Sequence, residues 1–326
     1  MRRGSGLVAA LSVTIARPST WPLALGAFLL RGGMILVVLP IVVLPTPVGV
    51  GNLLAPAVMS ISLGALPLGL VVASVGLGVG FALWVVVGGW LAAALEGEAI
   101  RIVADAERDH RVAPSRRRMA ARILAARLAC LLPLAIVLAI GTVRLVFVTY
   151  TELVLPSDAT SPIAIRVLRD APDVPLVIAL TWMAGEIVAA VAARRIVLAG
   201  DGVATALRIA VARSVRHPLA ALARFWLPLL VFVALLVATG LVVSTAWQAT
   251  GERLAHAQDP LGLLGAMVVV AILVGSWLVS LLAIGVVTAW RGAVWTVAEV
   301  SAAGTFGGST NRRRGDWRAD PRSATL

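Results

Sequence analysis

Two ionisable residues lie deep inside stretches of sequence that are otherwise apolar. Arg31 interrupts "FLLRGGMILVVLP" near the N-terminus, and Glu186 interrupts "ALTWMAGEIVAAVAA" further along the chain. An ionisable residue in a segment that could cross a bilayer is costly, so such residues pair with one another or line the path of an ion or substrate. The chemistry that these two residues could support is therefore charge pairing or transport.

Other polar patterns do not predict catalysis. The segment "DAERDH" (105–110) has three acids and a histidine, but the arginines around it favour a solvated, ion-paired helix face over a metal site. Cys130 is the only cysteine, so no disulfide can form within the chain. We find no HExxH, phosphate-loop or nucleophile-elbow spacing. We therefore expect no enzymatic activity, no metal and no cofactor.

The composition indicates an all-α polytopic membrane protein. Hydrophobic residues make up 60% of the 326 residues and charged residues only 13%, whereas soluble domains are nearer a quarter charged. The apolar residues form long blocks, as in membrane-spanning helices. The net charge is +12, and the arginines flank the apolar blocks. Anionic lipid head groups are therefore the expected counter-charge, and we expect no nucleic acid partner.

Six blocks are long enough to cross a bilayer, which requires about twenty apolar residues. The second is longer than necessary, so its helix should tilt or project beyond the membrane. The C-terminal residues 304–326 are basic and aperiodic, and we predict a disordered cytoplasmic tail. The predicted spans are approximately 22–44, 64–95, 123–149, 174–198, 225–247 and 263–290.

The arginines also predict the orientation of the spans. They concentrate at the N-terminus, after span two, after span four and at the C-terminus, while the opposite side carries only Arg166, Arg169 and Arg253. Because basic residues are retained on the cytoplasmic side, both termini should be cytoplasmic.

An internal similarity suggests three units of about 100 residues. "LSVTIARPSTWPLAL" (11–25) aligns without gaps on "LRIAVARSVRHPLAA" (207–221), and 116–135 is more loosely similar. Each unit would contain an amphipathic interfacial helix, a span outward and a span back, which places interfacial helices before spans one, three and five. Chance similarity between segments rich in alanine and leucine is the alternative.

The depths of the two charges suggest that they pair. Arg31 follows the start of span one at Pro22 by roughly 13 Å of helix, and Glu186 follows the outer start of span four by roughly 18 Å. Both positions are near the middle of a core about 30 Å thick. We therefore hypothesise an intramembrane ion pair between Arg31 and Glu186, either as a structural clasp or as the lining of a polar cavity. Glu96 and Glu98 should instead pair locally near Arg101.

Three further residues have predicted roles within the spans. Arg144 is close to the outer end of span three, so its long side chain should snorkel to the outer interface beside Tyr150. Gly76 and Gly80 in span two have GxxxG spacing, which favours close packing against another helix.

The Arg-x4-Pro-Leu-Ala motif at Arg17 and Arg213, where a span begins, resembles bacterial six-span families. These are similar to the membrane domain of some glycerophosphodiester phosphodiesterases. The catalytic domain of those enzymes has no counterpart here, so the resemblance implies a fold and not an activity. It implies a bacterial inner membrane protein.

The function that we predict is a non-catalytic scaffold, assembly factor or partner-binding subunit. The alternative is a small-molecule transporter or permease with Arg31 and Glu186 in its pathway. A protein partner and a homo-oligomer both remain open at this point.

Overall fold

Every regular element that the structure describes is helical, which confirms the all-α fold. The computed structural model describes residues 5–38, 59–60, 64, 68–107, 116–158, 160–255 and 260–315. The α-helices are α1 Ser5–Ala16, α2 Thr20–Phe28, α3 Met34–Val38, α4 Leu68–Leu83, α5 Gly89–Ala106, α6 Arg116–Val154, α7 Ile163–Asp170, α8 Asp173–Ala199, α9 Val203–Arg216, α10 Pro218–Ala255 and α11 Pro260–Gly315.

Six helical segments are long and apolar enough to cross a membrane, which confirms the predicted number of spans. Large apolar side chains point away from the protein along them; Leu77 and Phe81, for example, are 78% and 69% exposed. Surfaces of this kind fit lipid, because soluble monomers rarely expose large contiguous apolar patches. The spans are Thr20–Val38, Leu68–Ala106, Arg116–Val154, Asp173–Ala199, Pro218–Ala255 and Gly262–Ala302.

Spans one and two each contain a π-helical turn. Leu29–Gly33 joins α2 to α3, and Trp84–Gly88 joins α4 to α5. Gly32 has a φ of 102°, a value that glycine tolerates and other residues rarely adopt, so span one is kinked at this position. The kink follows Arg31 directly.

Two of the three predicted interfacial helices are separate elements. α1 is set apart from α2 by Arg17–Ser19, and His217 alone separates the end of α9 from Pro218, the first residue of α10. A proline suits the first turn of a helix, because its missing N–H would have no intrahelical partner there. The third is not a separate element, because α6 is continuous from Arg116 into span three. Its residues 116–132 contain neither proline nor glycine, so nothing in them stops the helix.

The helical residues separate into two compact units. Helices α5, α10 and α11 each contribute to both. The first unit comprises residues 1–103 and 226–294, and the second comprises 104–225 and 295–326.

In the first unit, span one has neighbours on several sides. The rings of Phe28 and Phe232 meet edge to face with their centroids 5.4 Å apart, which joins α2 to α10. A Cβ atom placed on Gly285 of α11 would lie 3.3 Å from the carbonyl oxygen of Trp21. That glycine therefore permits α11 to approach the backbone of α2 closely.

In the second unit, α6, α8 and α9 pack through small and aliphatic side chains. Alanines dominate the contact faces and recur every three or four residues, so the helix backbones can approach closely. A Cβ atom on Gly185 would lie 3.0 Å from the carbonyl oxygen of the half-buried Cys130. Side chains buried in this core include Met119, Ile123 and Ala126 of α6, Ala189, Ala192 and Ile196 of α8, and Ala206 and Ala210 of α9.

The last helix extends well beyond span six. α11 has 56 residues and ends at Gly315, so the tail that we predicted to be disordered begins inside this helix. Extending a helix that a span has already nucleated costs little, and no proline interrupts this stretch. Residues 316–326 lie outside the part of the chain that the structure describes.

Candidate functional site

Arg31 forms a close ion pair with Glu96. Its Nη2 lies 2.5 Å from Oε2 of the carboxylate, a distance typical of a short charge-assisted hydrogen bond. The Glu96 side chain is only 9% exposed and that of Arg31 is 30% exposed. The same guanidinium nitrogen lies 3.5 Å from the carbonyl oxygen of Ala92. The pair thus joins span one to span two inside the first unit.

One face of span two is built to receive this arginine. Gly88, Ala92 and Glu96 are spaced four residues apart, so they lie along one side of the helix. A Cβ atom on Gly88 would lie 3.4 Å from the carbonyl oxygen of Leu30. The small residues let span one approach closely, and the glutamate one turn further on meets the guanidinium.

The structure gives Arg31 a partner that we did not predict. The ion pair described for Arg31 is with Glu96. Glu186 has its own described partner, Arg127, whose Nη1 lies 3.8 Å from Oε1. Arg31 and Glu186 belong to different compact units, and a contact between them stays a prediction.

The predicted local pairing near the end of span two is confirmed in one case. Glu98 and Arg101 are 3.6 Å apart on the same helix. For Glu96, the local prediction missed the partner on span one.

The two missed residues lie deeper in their helices than hydropathy indicates. Glu96 precedes the end of α5 at Ala106 by ten residues, roughly 15 Å, and Arg127 follows the start of α6 at Arg116 by eleven, roughly 16 Å. The predicted spans ended at 95 and began at 123, which placed one residue beyond its span and the other at the edge. Counting depth from the helix ends would have found both.

Arg144 has a carboxylate partner that the sequence did not suggest. Its Nη1 lies 2.5 Å from Oδ2 of Asp173, the first residue of α8, and both side chains are about half exposed. An aspartate at a helix N-terminus interacts favourably with the helix dipole, so it is well placed to meet an arginine from span three. Snorkelling to the outer interface beside Tyr150 stays a prediction.

The packing that we predicted for Gly76 and Gly80 is not found within the described part of the chain. A Cβ atom on either glycine would meet no described atom within 4 Å. α4 also has no buried residue. GxxxG spacing permits close approach but does not require it.

The connection between spans three and four is held by its own polar network. Glu152, which is buried, lies 3.3 Å from Nε of Arg166 on α7 and accepts a hydrogen bond from the Ser157 amide. Ser161 and Thr160 donate hydrogen bonds to the Asp158 carboxylate, and these hold its pKa well below the ordinary value.

A small basic cavity lies in the second unit, where α9 ends and α10 begins. Its volume is about 260 Å³. Glu299 of α11 accepts a hydrogen bond from Arg213 and lies 3.9 Å from Nη1 of Arg195. The cavity is lined by Arg213, Ser214, His217 and Arg224, by Glu299, and by Val191, Ala220, Ala221, Trp295 and Ala298.

This cavity was not predicted, although the sequence contains one indication of it. Glu299 is the only acidic residue in the 56 residues of α11. A lone acid in a long helix close to an arginine-rich surface indicates an ion pair.

No group of three or more potential metal ligands occurs among the described residues.

The fold and these contacts define a multi-pass helical membrane protein. Comparison with protein-family models, with curated proteins and with solved structures found no match. The resemblance to phosphodiesterase membrane domains stays a prediction.

Proposed function

We propose that this protein is a non-catalytic scaffold or partner-binding subunit of a bacterial inner membrane, with both termini in the cytoplasm. The observation that carries the proposal is the 2.5 Å ion pair between Arg31 and Glu96. Such a pair favours a structural role, because it neutralises both charges and fixes the register of two helices.

A second arginine and glutamate support the same interpretation. Arg127 and Glu186 join spans three and four in the second unit, as Arg31 and Glu96 join spans one and two in the first. In each hairpin the arginine is on the first helix and the glutamate is on the returning helix. This repeated arrangement is what a device for aligning helices requires.

The arginine clusters beside the spans suit a protein that is held at an anionic surface. Juxtamembrane arginines gain about 1 kcal/mol each near anionic head groups. We propose anionic lipids as the partner of these clusters. A protein partner would bind at the cytoplasmic face, where α9 and the end of α11 would lie.

Transport is the second candidate, because the charged side chains are not fully enclosed. The Arg31 and Glu186 side chains are 30% and 31% exposed. A water-filled pathway at their depth would turn both from structural residues into contacts for a substrate or ion.

Thiol accessibility distinguishes the two functions. In a Cys130→Ala background, single cysteines replace Leu30, beside Arg31, and Ala190, one turn from Glu186; both changes leave the ion pairs intact. A small water-soluble thiol reagent should leave them unlabelled in membranes, whereas a control cysteine at Thr160 in the outer connection should label rapidly. Labelling of positions 30 and 190 at the rate of the control would overturn the scaffold proposal in favour of transport.

A further inference from the structure

We propose that the basic cavity between α9, α10 and α11 binds a phosphate group. The cavity brings Arg213, His217 and Arg224 together around a single acid, Glu299. Glu299 is already shared, since it accepts a hydrogen bond from Arg213 and lies 3.9 Å from Arg195. One carboxylate therefore faces several cations, and the cavity has an excess of positive charge.

Arg224 is the group that most requires an anion. Its side chain is half-buried, and it forms no hydrogen bond or ion pair with any residue that the structure describes. A partly desolvated guanidinium beside a second arginine is unfavourable until an anion neutralises it. The imidazole of His217 likewise has no described hydrogen-bond partner, and either tautomer offers an N–H to a ligand.

Phosphate matches these donors better than a carboxylate does. Each guanidinium presents a planar fork of N–H groups that binds phosphate oxygens two at a time. Arg213 retains free donors after its bond to Glu299, because a guanidinium has five N–H groups. Two arginines and a histidine could thus contact three phosphate oxygens together.

The size of the cavity limits the ligand. Its volume of about 260 Å³ is below the range of roughly 300–1,000 Å³ typical of drug-sized ligands. A phosphate with a small attached group matches this volume. Val191, the alanines and Trp295 form most of the remaining wall, and the Ser214 hydroxyl can accept a hydrogen bond from the glycerol part of a phosphate ester.

The position of the cavity admits two sources of that phosphate. His217 immediately precedes Pro218, where the helix of span five begins. If α9 lies on the inner membrane surface, as the proposed function places it, the cavity is at the depth of lipid head groups. The phosphate then belongs to an anionic lipid; otherwise it belongs to a small soluble phosphate ester. Only this choice of source rests on the proposed function.

Ligand-dependent thermal stabilisation of the purified full-length protein in neutral detergent tests the inference. The probes are dioctanoyl phosphatidylglycerol for the lipid source and glycerol 3-phosphate for the soluble source. Arg224→Gln should weaken binding of the effective probe by at least about tenfold, the cost of losing one charge-assisted hydrogen bond. Arg208→Gln is the matched control, because Arg208 is an exposed arginine of α9 that does not line the cavity.

Each outcome has a defined meaning. Stabilisation by the lipid alone, lost in Arg224→Gln and kept in Arg208→Gln, supports a head-group site. Stabilisation by glycerol 3-phosphate alone supports the phosphate site but contradicts the placement of α9 at the membrane surface. Stabilisation by both probes supports a phosphate site open to water.

No stabilisation by either probe overturns the inference, as does an equal response of the two variants. His217→Gln is measured in parallel, so that a folding defect in Arg224→Gln does not leave the question open.

Discussion

The coupling between Arg31 and Glu96 can be measured by a double-mutant cycle. The variants are Arg31→Gln, Glu96→Gln and the double substitution. A hydrogen bond to a charged group contributes about 1.5–3 kcal/mol, and the 2.5 Å distance and the 9% exposure of the Glu96 side chain favour the upper part of that range. We therefore expect each single variant to be destabilised, with a coupling free energy of about 2–3 kcal/mol.

An ion pair on the same helix provides the matched control. Glu98 and Arg101 are 3.6 Å apart, and both side chains are more exposed than that of Glu96. Pairs spaced three residues apart on a helix surface contribute about 0.2–0.5 kcal/mol. The same cycle with Glu98→Gln and Arg101→Gln should give a coupling in that range. The comparison separates a pair between two spans from one within a single helix.

The assay is reversible unfolding in mixed detergent micelles, followed by circular dichroism. Because the cycle subtracts the single substitutions, the other interactions of either residue cancel. A coupling of 2–3 kcal/mol is a change of about 30- to 150-fold in the unfolding equilibrium, well within the sensitivity of this method. If the Arg31–Glu96 coupling is no larger than that of Glu98 and Arg101, the clasp is refuted.

Two further predictions concern packing and acidity. Gly185→Ala should destabilise the second unit by about 1–3 kcal/mol, because the new Cβ atom would lie 3.0 Å from the Cys130 carbonyl oxygen. Gly78→Ala is the control, because a Cβ atom there would meet no described atom within 4 Å; it should leave the stability of the protein unchanged or raise it by up to about 1 kcal/mol. Equal changes in the melting temperatures of the two variants would contradict this prediction. The pKa of Asp158 is lowered in the folded chain. Its hydrogen bonds therefore stabilise the fold fully at pH values above the ordinary pKa of about 3.9, and this stabilisation is lost only as the pH falls towards the lowered pKa. Protection of the Thr160 amide from hydrogen exchange should thus persist between pH 7 and 4, and its loss within that window would disprove the assignment.

The number and nature of the spans could be predicted because they depend on apolar surface. A helix in lipid must present apolar side chains all round, so its segment stands out as a long block in the sequence. Breaks between helices are marked by proline in some places only, since Pro133 and Pro228 lie inside α6 and α10. Pro218 separates α9 from span five as predicted, but no such residue separates 116–122 from span three, and the expected third interfacial helix is part of α6.

The ion pairs were harder to predict, because the spans were predicted from hydropathy. A charged residue lowers the mean hydropathy around it, so the predicted span ends close to the residue that matters. Glu96 lay just beyond the second predicted span, and Arg127 lay near the edge of the third. Arg31 stood out because apolar residues continue on both sides of it. Its partner was therefore sought among residues that stood out in the same way, and the contact with Glu96 was not predicted.

The observed contacts give the three-unit interpretation a structural counterpart. Spans two, four and six each carry a glutamate that forms an ion pair with an arginine. In the first two pairs the arginine lies on the preceding span, and in the third it lies on the helix before span five. The pairs are Arg31 with Glu96, Arg127 with Glu186, and Arg213 with Glu299.

The third pair differs from the first two in one respect. Arg213 lies on α9, before span five, whereas Arg31 and Arg127 lie on helices that form spans one and three. Glu299 pairs with an arginine outside span five, and Arg224 of α10 lines the same cavity without forming an ion pair with any described residue. If the three units arose from one another, the third has moved its ion pair to the preceding helix and opened a cavity beside it. The proposed phosphate site thus lies where the regularity of the ion pairs breaks.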